Sequence, residues 1–395
     1  MHDPSLSTIF LALLLAAGTQ PMDARGAGLH RSGIAAATDS ASGAELLQLN
    51  PEPTNAASIA SLFHRSHPLH NVAIIIDTTA SMNVVDKDSH CGTRLSCALS
   101  GVRILLTKFT PCKGKSSCIT ESSAKPTNAG DTVSLFTFPN VTAGTAERDF
   151  DCGQENPRIA PASLPAPGES TYILAALPAA TPTYQIVGFS NDYRTSNKTT
   201  ALNPSSSLVK AVHGVSGCQG LKAVGGWATY YAGVIYAAQI SLIAEQASRP
   251  NSQNVMILIT DGDANASQWQ MQRGATRSGN YPSFINECGQ AIAAAKDASK
   301  AGTTIYAIGY GATSSGCPTD VSGFSKGYSS CQTMQAIATA PAFFFSISMD
   351  SLPTGRNGPQ PTSCTSAAHP ETNLDDIFAK IAASIRAAKA SQKRR

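Results

Sequence analysis

Asp77, Thr79 and Ser81 set a carboxylate and two hydroxyls at alternate positions, directly after the unbroken apolar run Val72–Ile76. Alternate residues of an extended segment point the same way, so three oxygens can converge on one point. Hard oxygen donors suit magnesium, manganese or calcium and match neither the thiolates nor the imidazoles typical of zinc. A second apolar run, Val255–Ile259, leads through Thr260 to Asp261, Gly262 and Asp263, and so delivers another carboxylate at another strand end. Between the two, Gly225-Gly226-Trp227-Ala228-Thr229 reads as a loop that presents a hydroxyl just ahead of a helix. Each piece has a plainer reading when taken alone. Asp77 to Ser81 can be a strand running into a helix cap, Thr229 an N-cap, and Asp263 a solvated loop acid or an indirect support.

The elements that must position these groups are legible from periodicity. Apolar runs without polar alternation predict strands covered on both faces, as in a parallel sheet between helices. Ligands of such sheets gather at the carboxyl ends of the strands, where Asp77 and Asp261 would lie. Leu95, Leu99, Val102, Leu106 and Phe109 recur at helical spacing, as do Tyr231, Val234, Ile235, Ala238 and Leu242. Further strands are predicted at Asp131–Phe138, Tyr184–Phe189, Thr303–Gly309 and Phe343–Ile347 from their Val, Ile, Phe, Thr and Tyr content. An Ala-rich helix is predicted over Ile292–Ala301, stopped by Gly302, and a closing helix over Leu374, Ile377, Phe378, Ile381 and Ile385. Alternating strands and helices imply an α/β fold with a doubly wound, mostly parallel sheet flanked by helices.

Together the three oxygen-bearing pieces resemble the von Willebrand factor A domain, whose metal-ion-dependent adhesion site joins Asp-x-Ser-x-Ser to a later Thr and a later Asp. The resemblance implies a Rossmann-like fold, a bound Mg2+ (or Mn2+ or Ca2+) held by Asp77, Thr79, Ser81, Thr229 and Asp261, and a protein partner that offers a carboxylate to the ion. Thr79 stands where the family more often has Ser, which keeps the hydroxyl. The Ala-rich segment from Met22 to Leu47, with Thr183–Thr195 and Thr229–Gly233, is also similar to TadE/TadG-like proteins of the Flp (Tad) pilus-assembly system. That likeness implies a noncatalytic assembly or adhesion module of the cell envelope, exported across the inner membrane and periplasmic or at the cell surface.

Composition bounds the alternatives. With 42% hydrophobic and 14% charged residues the chain is globular, and a formal net charge of +3 is too small to argue for nucleic acid. Residues 1–21 are expected to be a signal or a shortened membrane anchor, since Ile9–Ala17 is apolar but too short to span a bilayer. Residues 22–70 then form an N-terminal helical segment and linker, and residues 71–390 the main domain. Insertions at about 141–220 and 311–330 are expected on the surface, and residues 391–395 form a basic tail. His64, His67 and His70 read as part of the polar linker, because Pro68 interrupts any shared helical face. Ten cysteines, without a Cys-x-x-Cys pair, favour disulfides in an exported protein. Cys317 with Cys331 and Cys112 with Cys118 would be short local bridges. A strand ending in Asp77-x-Thr79 superficially resembles the haloacid-dehalogenase phosphatases, but Thr79 lacks their second acid. A metal-dependent phosphatase-like hydrolase and an envelope scaffold with a vestigial site are thus the alternatives.

Overall fold

The computed structural model describes residues 69–86, 90–112, 130–139, 184–218, 220–223, 229–261, 264–267, 276–312, 316–347, 364–366, 368–369 and 373–391, with side chains in the last helix to residue 387. All lie in Arg65–Arg395, the second of the two units into which the chain divides. The expectations for the N-terminal segment, for Asp263 and for the Gly225–Ala228 loop fall outside the described residues.

Six strands form one sheet in the order β3-β2-β1-β4-β5-β6. They are β1 (Leu69–Asp77), β2 (Thr132–Phe138), β3 (Gln185–Ser190), β4 (Ser252–Thr260), β5 (Thr304–Tyr310) and β6 (Phe344–Ile347). All neighbouring pairs are parallel except β2 and β3, which run antiparallel at the edge. The helices are α1 (Arg94–Lys108), α2 (Ser207–Ala211), α3 (Tyr231–Ser248), α4 (Glu287–Lys300), α5 (Ser330–Ile337) and α6 (Leu374–Ser391). The doubly wound, mostly parallel architecture expected from the sequence is therefore present.

β1 is the middle of the fold and shows why its sequence is apolar throughout. Val72, Ile74 and Ile76 pack on one face with Leu99 and Val102 of α1 and Ile377, Phe378 and Ile381 of α6. Ala73 and Ile75 face the other way, onto Val234, Ile235 and Leu242 of α3 and Ile292 of α4. Period-two alternation thus feeds two cores, one on each side of the sheet. α1 and α6 approach closely at Gly101, where an added Cβ would lie 2.2 Å from the Phe378 ring. The position requires glycine for space.

Three expectations are corrected. His70 is no linker residue: it belongs to β1, is 4% exposed, and its Nδ1 lies 2.9 Å from Asp131 Oδ1. The His70 backbone N–H also donates to that oxygen, at 3.1 Å. Burial works against the Asp131 carboxylate, but hydrogen bonds from His70 and Thr110 prevail and hold it below the usual carboxylate range. The expected surface insertion 141–220 carries core over its described part, since Tyr193, Leu208, Val209 and Val212 are fully buried with the α1 side of the sheet. Sparse strand signals concealed a short apolar helix, α2, that returns from β3. Finally, Cys317 pairs with Cys288 and Cys331 with Cys364, so the local Cys317–Cys331 bridge does not form. Each of these bridges ties a helix to a chain-distant segment. A local bridge does form between Cys91 and Cys97. Cys112 is disulfide-bonded, while Cys118 lies outside the described residues.

Candidate metal centre

The chain leaves β1 for β2 and β3 on one side of the sheet and returns to β4, β5 and β6 on the other. β1 and β4 are neighbours, with Ile76 paired to Ile259, so their carboxyl ends flank the topological switch point at which open α/β sheets form ligand sites. Asp77 closes β1 and Asp261 follows β4 directly.

A run of hydrogen bonds links the two strand ends. Asp77, fully buried, accepts from the Thr79 backbone N–H at 2.8 Å and the Thr79 hydroxyl at 2.6 Å, both on Oδ1. Its Oδ2 accepts from the Thr260 hydroxyl at 2.6 Å. Ser81 Oγ donates to Asp261 Oδ1 at 2.7 Å. The two hydroxyl oxygens of Thr79 and Ser81 lie 3.0 Å apart. Either hydroxyl can donate across that gap, which joins the two halves of the run.

That separation tests the fit of a divalent cation. Magnesium takes oxygen ligands at about 2.1 Å in an octahedron, whose adjacent ligands are therefore about 3.0 Å apart. Thr79 Oγ1 and Ser81 Oγ match such an edge. Charge agrees with geometry. Burial, and then the neighbouring Asp261 carboxylate, push Asp77 up to about 7, against the lowering effect of the hydrogen bonds from Thr260 and Thr79. Two carboxylates at neighbouring strand ends in a dry site raise one another's proton affinity, and a bound cation would relieve that repulsion. The donor set, all hydroxyl and carboxylate oxygen, suits magnesium, manganese or calcium.

Thr229 ends the third loop, directly ahead of α3. It is 4% exposed, and its carbonyl accepts from Asn265 N at 3.0 Å, four residues beyond Asp261. The plain reading of Thr229 as an N-cap does not hold. Tyr230 is the N-cap residue of α3 and makes no side-chain cap hydrogen bond, so the Thr229 hydroxyl is not used to start the helix. Thr79, Ser81, Asp77 and Asp261 are thus joined by side-chain hydrogen bonds, while Thr229 is hydrogen-bonded through its carbonyl to Asn265.

Sequence reading missed three contributors. Thr260, the last residue of β4, orients Asp77. Arg94, the first residue of α1, donates to Asp261 Oδ2 in an ion pair hidden from solvent. Glu287, the first residue of α4 and fully buried, accepts from Ala266 N at 2.8 Å and so holds the segment that follows Asp261. Burial, with Asp320 nearby, raises the Glu287 carboxyl to about 8 although the Ala266 hydrogen bond lowers it. A threonine at a strand end carried no separate signal. Neither acid nor base at a helix start stands out from ordinary capping.

Around this centre, Asp86 is 5% exposed and accepts from the Tyr310 hydroxyl at the end of β5. Val84 and Val85, just past Ser81, are 42% and 59% exposed.

Comparison with known proteins bears on the fold. Residues 178–354 match the model of the von Willebrand factor type A domain. That span includes Thr229 and Asp261 and begins beyond β1 and the Asp77 segment. No curated protein matches the chain. Among solved structures, it is similar to the conserved hypothetical protein BatB from Bacteroides thetaiotaomicron, at 13% identity and a TM-score of 0.38, over 81% of this chain and 98% of that one. It is similar to the pilus adhesin SpaC from Lactobacillus rhamnosus GG at 14% identity and a TM-score of 0.39, over 80% of this chain but only 30% of SpaC. Proximal thread matrix protein 1 from the mussel byssus, a structure with a zinc-occupied MIDAS motif, is 14% identical with a TM-score of 0.35, over 82% of this chain and 46% of that one. Over residues 178–354 the chain is therefore similar to the von Willebrand factor type A domain.

Proposed function

We propose that this protein is an exported, noncatalytic binding module of the cell envelope, linked to Flp/Tad pilus assembly, that captures a partner protein through a divalent cation. The observation that carries the reading is the run Asp77–Thr79–Ser81–Asp261, which unites two strand ends and gathers hydroxyl and carboxylate oxygens in one place. Thr79, Ser81 and Thr229 would supply neutral oxygens. Asp77 and Asp261 would act directly or through water, and they accept hydrogen bonds from the Thr79 and Ser81 hydroxyls. When bound, Mg2+, Mn2+ or Ca2+ would supply a Lewis-acidic position for a carboxylate of the partner. Neutral ligands leave such an ion electrophilic, which is what capture of an acidic side chain needs.

Export is supported by the disulfides Cys91–Cys97, Cys288–Cys317 and Cys331–Cys364, which persist in oxidising compartments. Residues 1–21 would then serve as signal or anchor, and the following segment, to about residue 68, as a spacer. Among the described residues no helix is long and apolar enough to cross a membrane.

The test is capture of envelope proteins on the purified chain in magnesium and in EDTA, with Asp77→Ala as control. Partners retained in magnesium and lost in both other conditions support the reading. Retention undiminished in EDTA would instead favour a scaffold with a vestigial site. Hydrolysis of simple phosphate esters, abolished by Asp77→Asn, would restore the phosphatase alternative.

A further inference from the structure

Asp261 commits both carboxylate oxygens within its own chain, Oδ1 to the Ser81 hydroxyl and Oδ2 to Arg94 Nη1. The ion pair is dry: side-chain exposure is 4% for Arg94 and nil for Asp261. Its position is fixed by backbone. Arg94 opens α1 behind the N-cap Thr93, whose hydroxyl accepts from Ser96 N, and the Arg94 N–H donates to Val84 O at 3.0 Å. The guanidinium therefore stands beside the Asp261 carboxylate for as long as the first turn of α1 is in place. An arginine stays charged under all conditions in which a protein is folded.

We propose that Arg94 sets the cation affinity of this centre. Resting on the metal-binding reading above, the inference adds that the fixed positive charge opposes a divalent ion while the hydrogen bond restrains Asp261 from direct ligation. A centre restrained in this way holds its ion weakly by itself and gains most from an external carboxylate, so Arg94 makes occupancy depend on an acidic partner. Coulomb repulsion between a unit charge and a divalent ion is large wherever water is excluded. Asp86, also buried here and bound by Tyr310, is present in every protein compared below.

The experiment is a calorimetric titration with Mn2+ alone, using the wild-type protein, Arg94→Gln and Arg94→Lys. Arg94→Gln, which removes the charge, should bind at least tenfold more tightly. Arg94→Lys, which keeps it, should stay within about threefold of wild type. Arg94→Met replaces the glutamine variant, with the same expectation, if circular dichroism shows the latter unfolded. Equal or weaker binding by the uncharged variant overturns the inference, as does a lysine variant as tight as the uncharged one; in either case wild-type binding leaves the metal reading standing. Absence of binding by every protein overturns both.

Discussion

Replacing Asp77 by Asn exposes the electrostatics of the centre most directly. Asn is isosteric, its Oδ1 still accepts from Thr79, and the Thr260 hydroxyl can turn to accept from the new amide. What changes is the charge. In the wild-type protein without metal, burial and Asp261 raise Asp77 from 3.8 to about 7. A carboxyl raised on folding takes up protons between those two values. Its contribution to stability is therefore greatest below the unfolded value and is lost as pH rises through about 7. At about 1.4 kcal/mol per pH unit, the loss is on the order of 4 kcal/mol for this fully buried group. Thermal unfolding of the EDTA-treated wild type should accordingly fall in midpoint between pH 5 and pH 8, while Asp77→Asn shows a much flatter profile. Magnesium reverses the trend, because its binding needs the ionised carboxylate. Wild-type affinity should weaken by up to about tenfold per pH unit below pH 7, with one proton released per ion bound, and Asp77→Asn should not bind. A wild-type midpoint that is flat across this range, or magnesium affinity equal in both proteins, would refute the reasoning.

Four further outcomes follow from the same geometry. Thr229→Val keeps the shape of the side chain and removes the hydroxyl; it should weaken Mn2+ binding at least tenfold while leaving the unfolding midpoint unchanged, since Thr229 caps nothing. Glu287→Ala should accelerate hydrogen exchange at Ala266, read by mass spectrometry, whereas Glu287→Gln, which retains an acceptor, should not. Gly101→Ala forces a Cβ against Phe378 and should cost about 1–3 kcal/mol of stability in denaturant titration. Loss of the Cys288–Cys317 bridge in a double Ser variant should cost about 3.6 kcal/mol, given its sequence separation of 29.

The fold was legible where one physical demand dominated. β1 and β4 are buried on both faces, and their unbroken apolar runs said so. The helical faces of α1, α3 and α6 followed from spacing. α4 begins at Glu287, five residues before the apolar signal at Ile292, because Cys288, Gly289 and Gln290 do not advertise a buried helical turn. α2 and α5 are too short for periodicity to speak. The candidate ligands Asp77, Thr79, Ser81 and Asp261 were visible because alternation along β1 and a carboxylate after β4 are local patterns. Arg94, Thr260 and Glu287 were not, since each acts on a residue more than 20 positions away, and only the sheet order brings them together. The cysteine pairing failed for the same reason: a bridge between Cys288 and Cys317 depends on where α4 begins.

β1 also has a mechanical meaning. It lies between two parallel neighbours, paired along most of its length with both β2 and β4, and it ends at Asp77. Tension applied ahead of Leu69 and resisted by a partner held at Asp77 runs lengthwise down this strand. The load then passes through the covalent backbone of β1 from one attachment to the other and leaves the ladders to β2 and β4 unloaded. Anchorage at both ends of one extended central strand spares the sheet, and single-molecule pulling between those two points should lengthen the domain little, with no unfolding step before an attachment gives way.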